Sequence, residues 1–206
     1  MNAIQLYGKL STLRQVTTRT AAQLTGQPMS TTSMALSRLA AEGLVTRIKP
    51  GSWLIGPTAR KAAALVAAAA HPYVAYLSGW SALRHHGRIQ QIPEIHFGVT
   101  LGRPSEIKLA GISIRLHHIR PELFTGYVYA PAMDGLVASP EKAFFDLAYF
   151  SAMNRRSLGS ALPEADLRGF RWKLLHEWVR QIPSAGVRTS VERSIRKLRR
   201  QQDASE

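Results

Sequence analysis

Between residues 30 and 52 the chain gathers side chains suited to meeting a nucleic acid. Ser30, Thr31, Thr32 and Ser33 are short hydroxyls that can donate to phosphates or base edges. Met34 and Ser37 follow, and Arg38 carries the fork of donors that fits a guanine edge or a phosphate. Arg47 and Lys49 then flank a Pro50-Gly51 turn, where the backbone of Gly51 and Ser52 can follow a minor groove or a phosphate chain. A second basic group lies near the other end: Arg188, Arg193, Arg196, Lys197, Arg199 and Arg200 surround the helical stripe Val187, Val191, Ile195 and Leu198. It reads either as a solvated face or as an auxiliary contact for nucleic acid or an acidic partner. A membrane-surface helix fits less well, because the apolar stripe is narrow and has no Trp or Phe.

Enzyme chemistry finds less support. A nucleotidyl transfer site needs a Gly-Ser turn for the phosphate and two close acids on a strand for metal ions. Gly159-Ser160 is followed by Glu164 and Asp166, but in a Pro-containing stretch without strand pattern, and no acid pair follows Gly79-Trp80. Nor does the order of residues support a Ser-His-Asp set, so no catalytic residue is assigned. His85-His86, His96, His117-His118 and Asp146 are competent metal ligands. Adjacent residues on a helix, however, point about 100° apart, and on a strand to opposite faces, so neither histidine pair chelates as a unit. The expectation is no metal and no cofactor. His86 should pack on a sheet or cap its helix, and one of His117 and His118 should face solvent. Asp146 should accept hydrogen bonds from buried backbone or from Ser78-Gly79-Trp80, with Trp80 in the core.

Composition frames these sites. The 206 residues carry 27 Lys and Arg against 13 Asp and Glu, a net charge of +14, with 45% hydrophobic residues and no cysteine. A core can therefore form, while disulfides, thiolate metal sites and a cysteine nucleophile are excluded. The excess charge points to a polyanion. Residues 1–56 hold six bases against one acid and residues 168–200 hold ten against two, leaving a nearly neutral middle. The apolar run Ala62 to Ala70 is too short to span a bilayer, and no basic segment leading into an apolar one opens the chain, so a cytoplasmic protein without membrane contact is expected.

The elements that must hold these residues follow from periodicity. A first helix is expected over Ala3–Leu13, a second over Arg19–Thr25 capped by Thr18 and ended at Gly26, and a third from a Ser30 cap to about Glu42. By 100° steps, Leu36, Leu39 and Ala40 face inward and Ser30, Thr31, Met34, Ser37, Arg38 and Ala41 outward. Leu44–Ile48 and Ser52–Ile55 read as strands joined by Lys49-Pro50-Gly51, with Trp53 in the core beneath them. Two short helices across a glycine turn, then a basic hairpin, make a winged helix-turn-helix over residues 1–57. Residues 58–71 read as an Ala-rich helical linker with a Thr58 cap. Residues 72–206 read as an α+β unit with strands at Tyr73–Leu77, Glu94–Thr100, Ile112–His118, Thr125–Ala130 and Leu136–Ala138. Its helices are expected from Trp80 to Gly87, from a Ser139 cap to about Ala152, and over Arg171–Gln181 and Val187–Gln201.

The order of these features, with "SRLAAEGLVTRIKPGSWLI", "YLSGWSALRHHG" and "LVASPEKAFFDLAYF", resembles the AbiEi family, antitoxins of type IV abortive-infection toxin–antitoxin systems used in phage defence. The likeness covers about Ala3 to Arg200. It implies a mixed sheet with helices, similar to a minimal nucleotidyltransferase, in the C-terminal domain. It also implies a repressor that autoregulates its operon by binding inverted repeats in its promoter through the N-terminal domain. The partners implied are double-stranded DNA and a nucleotidyltransferase-like toxin, with direct contact to the toxin left open. A monomer in solution that binds cooperatively on DNA is compatible with this. A stand-alone regulator without a toxin, and a nucleic-acid-modifying enzyme, are the alternative readings.

Overall fold

The computed structural model describes residues 2–56, 61–109, 112–154 and 165–203. It is a mixed α+β structure. The N-terminal unit contains α1 (Ala3–Leu10), β1 (Gln15–Thr17), α2 (Thr18–Thr25), α3 (Met29–Ala41), β2 (Val45–Lys49) and β3 (Ser52–Ile55). Asn2 and Gln5 form a reciprocal capping box on α1. Thr17, rather than Thr18, caps α2 by accepting from the Thr20 amide, and Gly26 ends that helix at φ 65°. α3 starts two residues early, at Met29 behind Pro28 and without a side-chain cap, so Ser30 is not its cap.

Val16 and Thr17, which lie between the first two expected helices, form an edge strand with Gln15. The three strands run in the order β1-β3-β2, all antiparallel, with Val16 opposite Trp53. One face of this sheet, through Val16, Val45, Trp53 and Ile55, packs on Leu6, Leu10, Leu36 and Leu39 of the helices. Buried Ile48 and Leu54 instead join the larger core of the body.

The body begins with α4 (Ala62–Ala70), and this corrects the expectation of a linker. Eight of its nine residues are buried, all but Ala67. A helix apolar all round is stable only inside a core, and alanines let its backbone come close to a sheet. The sheet contains β4 (Ala75–Leu77), β5 (Ile95–Thr100), β6 (Ser105–Leu109), β7 (Ile112–His118), β8 (Tyr127–Ala130) and β9 (Gly135–Ala138), in the order β6-β7-β5-β4-β9-β8. The β5/β7 and β4/β9 pairs are parallel and the others antiparallel.

α4 covers one face. A Cβ on Gly98 would sit 2.7 Å from Val66, and one on Gly135 would sit 2.9 Å from the Ala63 carbonyl carbon. On the other face lie α5 (Gly79–His85) and the buried α6 (Pro140–Met153), capped by Ser139 with Pro140 in its first turn. α7 (Trp172–Arg180) and α8 (Ala185–Asp203) pack on α6 from outside. The layers therefore run from N-terminal helices through the small sheet, α4 and the large sheet to α5 and α6, with α8 beyond. No helix among the described residues is long and apolar enough to cross a membrane.

Candidate nucleic-acid interface

α3 packs on α1, α2 and β2 through Thr32, Leu36 and Leu39, which leaves its opposite face uncovered. Ser30, Met34, Ser37 and Arg38 are exposed there, flanked by half-buried Thr31 and Ser33. Thr32 departs from this set. It is 1% exposed and its hydroxyl donates to the Pro28 carbonyl at 3.0 Å, so it tightens the first turn of α3 and is closed to a ligand.

The hairpin tip lies beside the start of α2, because the Thr18 amide donates to the Gly51 carbonyl at 2.9 Å. Gly51 turns at φ 73°, a conformation that favours glycine. Arg47 is exposed, with its guanidinium 5.5 Å from the centre of the Trp53 ring. Trp53 itself is buried, as expected, and donates to the buried Thr18 hydroxyl at 2.9 Å. Ser52 is buried and accepts from the Gln15 side chain at 3.1 Å, so its hydroxyl, like that of Thr32, is structural. Sequence reasoning passed over Arg19. It is exposed in the first turn of α2, next to the residue that binds Gly51, and its position was hidden until β1 brought α2 against the hairpin. Among the described residues no carboxylate pairs with Arg19, Arg38, Arg47 or Lys49.

Two contacts fix this surface on the body. Lys49 donates one of its three ammonium hydrogens to the His71 carbonyl at 3.1 Å, leaving two for an outside acceptor. Arg14 reaches Asp134 at 2.9 Å and the Tyr129 hydroxyl at 3.1 Å, and that hydroxyl donates to Asp134 at 2.8 Å. With Ile48 and Leu54 in the body's core, the small sheet is clamped on both faces and the hairpin is rigidly aimed.

The remaining candidates are dispersed. Arg188 is half-buried and donates twice to the Ile182 carbonyl, at 2.8 and 3.1 Å, satisfying the end of α7; it belongs to the fold. Arg193, Arg196, Lys197, Arg199 and Arg200 are exposed. His86 shares a 2.8 Å hydrogen bond with the Ala138 carbonyl, so it both packs on the sheet and caps α5. His118 is exposed and bonds the Gly102 carbonyl through Nδ1, whereas His117 is stacked on Phe97 at 4.1 Å. Asp146 accepts from Ser78 at 2.7 Å and from Tyr76 at 3.1 Å, and pairs with Lys142. Burial pushes its carboxyl up and the Lys142 ammonium down, while their mutual attraction opposes both shifts. Lys142 was missed in the sequence, although its place four residues before an acid on an apolar helix was the available signal.

No group of three His, Asp or Glu side chains is placed to hold a metal ion among the described residues. Asp166 bonds Arg168, and Gly159-Ser160 and Glu164 lie outside the described residues. The structure thus offers one set within the N-terminal unit: the exposed outer face of α3, and Arg19 beside the hairpin of Arg47, Lys49 and Gly51. Its cations and hydroxyls can bind phosphates and base edges. Compared with known proteins, the chain matches no family model and no curated protein.

Proposed function

We propose that this chain is a DNA-binding transcriptional repressor that reads its own promoter with a winged helix-turn-helix. α2 and α3 form the helix-turn-helix, β2 and β3 the wing, and α3 enters the major groove. The observation that carries this reading is the uncovered face of α3, bearing Ser30, Met34, Ser37 and Arg38, in the same unit as a hairpin whose Arg47 and Lys49 pair with no carboxylate among the described residues. Phosphate contacts from Arg19, Arg47 and Lys49 set the register, and Arg38 supplies base readout. The antitoxin role, against a nucleotidyltransferase-like toxin, rests on the resemblance in the body's motifs.

An electrophoretic mobility shift with the protein's own upstream region tests the first part. Binding should be specific over an unrelated duplex and weaken steeply with salt. Co-expression with a neighbouring nucleotidyltransferase-like reading frame tests the second, and rescue of growth is the expected result. Incubation with nucleotides, divalent metal ions and RNA should give no turnover; turnover by the purified chain would replace this reading with an enzymatic one.

A further inference from the structure

The basic charge of the molecule sits at two poles, and the winged unit accounts for only one. On α8 the side chains of Val191, Ile195 and Leu198 are buried. Directly opposite them Arg193, Arg196, Lys197 and Arg200 recur at i, i+3, i+4 and i+7, which places all four on a single face. The ridge they form is about 10 Å long at the rise of an α-helix. All four are exposed, and none makes an ion pair among the described residues. Arg188, on the same helix, makes a contrast, since it is half-buried and two of its donors hold the Ile182 carbonyl.

The chemistry of the ridge selects its ligand. Lys and Arg offer donors only, so the partner must be rich in anionic acceptors. Protein interfaces centre on apolar or aromatic anchors, and no large apolar side chain of α8 is exposed. Single-stranded nucleic acid is held by aromatic stacking, which this face also lacks. A row of cations without anchors or stacking rings matches the phosphate chain of a duplex.

Placement decides which duplex. α8 packs on α6, which lies under the large sheet; α4 covers the other face of that sheet and carries the winged unit. At roughly 10 Å per packed layer, about 30–40 Å of protein separates the α8 ridge from the hairpin. α3 packs its inner face on the small sheet, whose other face meets α4, so its outer face points away from the body and a straight duplex lying on that face stays on the far side of the molecule from α8.

We propose that α8 is a second, sequence-independent duplex-DNA site, so that one molecule bridges two DNA segments. This rests on the reading of the N-terminal unit as a DNA reader. The test uses the full chain and two duplexes of about 25 base pairs, far too stiff to wrap the protein, since DNA persists over about 150 base pairs. One duplex, carrying the protein's promoter sequence, is immobilised, and the other is fluorescent and of unrelated sequence.

The wild type should capture the second duplex. The variant Arg193→Gln, Arg196→Gln, Lys197→Gln, Arg200→Gln should still bind the immobilised duplex but lose capture by about tenfold or more, as expected when several phosphate contacts go. Replacing the three arginines by lysine should keep capture, because charge is retained. Capture undiminished in the glutamine variant would overturn the proposal and leave the winged-helix reading intact. Loss of all duplex binding in that variant, with Arg38→Ala binding as wild type, would instead overturn the winged-helix reading along with it. Displacement of the second duplex by single-stranded RNA at far lower concentration than by duplex DNA would assign the ridge to RNA and overturn the proposal.

Discussion

Lys142 and Asp146 form an ion pair, Nζ to Oδ1 at 2.5 Å, with neither side chain exposed to solvent. The ammonium is enclosed by the rings of Phe145, Trp178 and Tyr76, at 4.6, 5.6 and 5.8 Å, and Asp146 is completed by Ser78 and Tyr76. A cluster this satisfied ties α6 to β4 and the start of α5. Removing one charge strands the other. Asp146→Ala should therefore cost about 3–5 kcal/mol by urea denaturation. The double variant Lys142→Met, Asp146→Asn, which keeps an acceptor for Ser78 and Tyr76, should recover at least half of that. An equal loss in both would assign the effect to packing rather than charge.

Arg38→Ala should weaken specific duplex binding by about 1–3 kcal/mol and relax the preference at one base position. Arg47→Ala should weaken specific and unrelated duplexes alike and flatten the dependence on salt by about one phosphate's worth. Thr32→Val should leave binding unchanged while lowering stability, because its hydroxyl is turned toward Pro28. Titrations of labelled duplex at several salt concentrations separate the three. Unchanged binding in the combined Arg38→Ala, Lys49→Ala variant would remove the winged-helix assignment.

Gly135 faces α4 so closely that a Cβ would lie 2.8 Å from the Ala63 Cβ and 3.0 Å from its carbonyl oxygen. Backbone cannot swing aside as a side chain can. Gly135→Ala should cost about 1–3 kcal/mol through overpacking. Gly8→Ala, in open space on α1, should be neutral to stabilising. Thermal melts of both variants compare the sites directly, and because the small sheet shares the body's core, Gly135→Ala should lower one cooperative transition for the whole chain.

The parts of the fold legible in the sequence were those with a local signal. Gly26, the Ser139-Pro140 cap and the alternation in Ile95–Thr100 and Ile112–His118 each encode their structure within a few residues. What escaped depended on distant partners. Val16 and Thr17 are too few to show alternation and become a strand only against Trp53 and Ser52. Ser105–Leu109 likewise needs β7 beside it. Ala62–Ala70 carries a helical composition that is the same for a spacer and a core helix; the sheet laid against it decides. Within the candidate interface, the helical wheel already separated Thr32 from the outer face, since it precedes Leu36 by four and Leu39 by seven, but its hydroxyl chemistry suggested a donor. The pairing of Lys142 with Asp146 was visible as spacing, while its burial came only from α6 lying between Tyr76 of β4 and Trp178 of α7.

His117 sets a pH limit on stability. Its ring is stacked on Phe97 at 4.1 Å and tilted against Phe150 at 4.7 Å, and its Nε2 is buried without a hydrogen-bond partner among the described residues. Burial, aided by the nearby Arg115 guanidinium, lowers its pKa to about 4. The unfolded chain binds this proton near pH 6.5 and the folded chain does not until about pH 4, so the stabilisation is full above pH 6.5 and is lost as pH falls through that window. The loss should reach about 3 kcal/mol. His85 and His96, also lowered by burial, add to it with the same sign. Glu141 acts in a separate range. Burial opposes its charge, yet hydrogen bonds from Arg171 hold it at about 2, so its contribution is lost only below about pH 4.5. His117→Phe, which keeps the stack and removes the titration, should therefore flatten the stability profile between pH 6.5 and 4 without altering the fall below it. Urea denaturation at half-unit pH steps measures both limbs, and an unchanged upper limb would show that His117 is protonated as readily folded as unfolded.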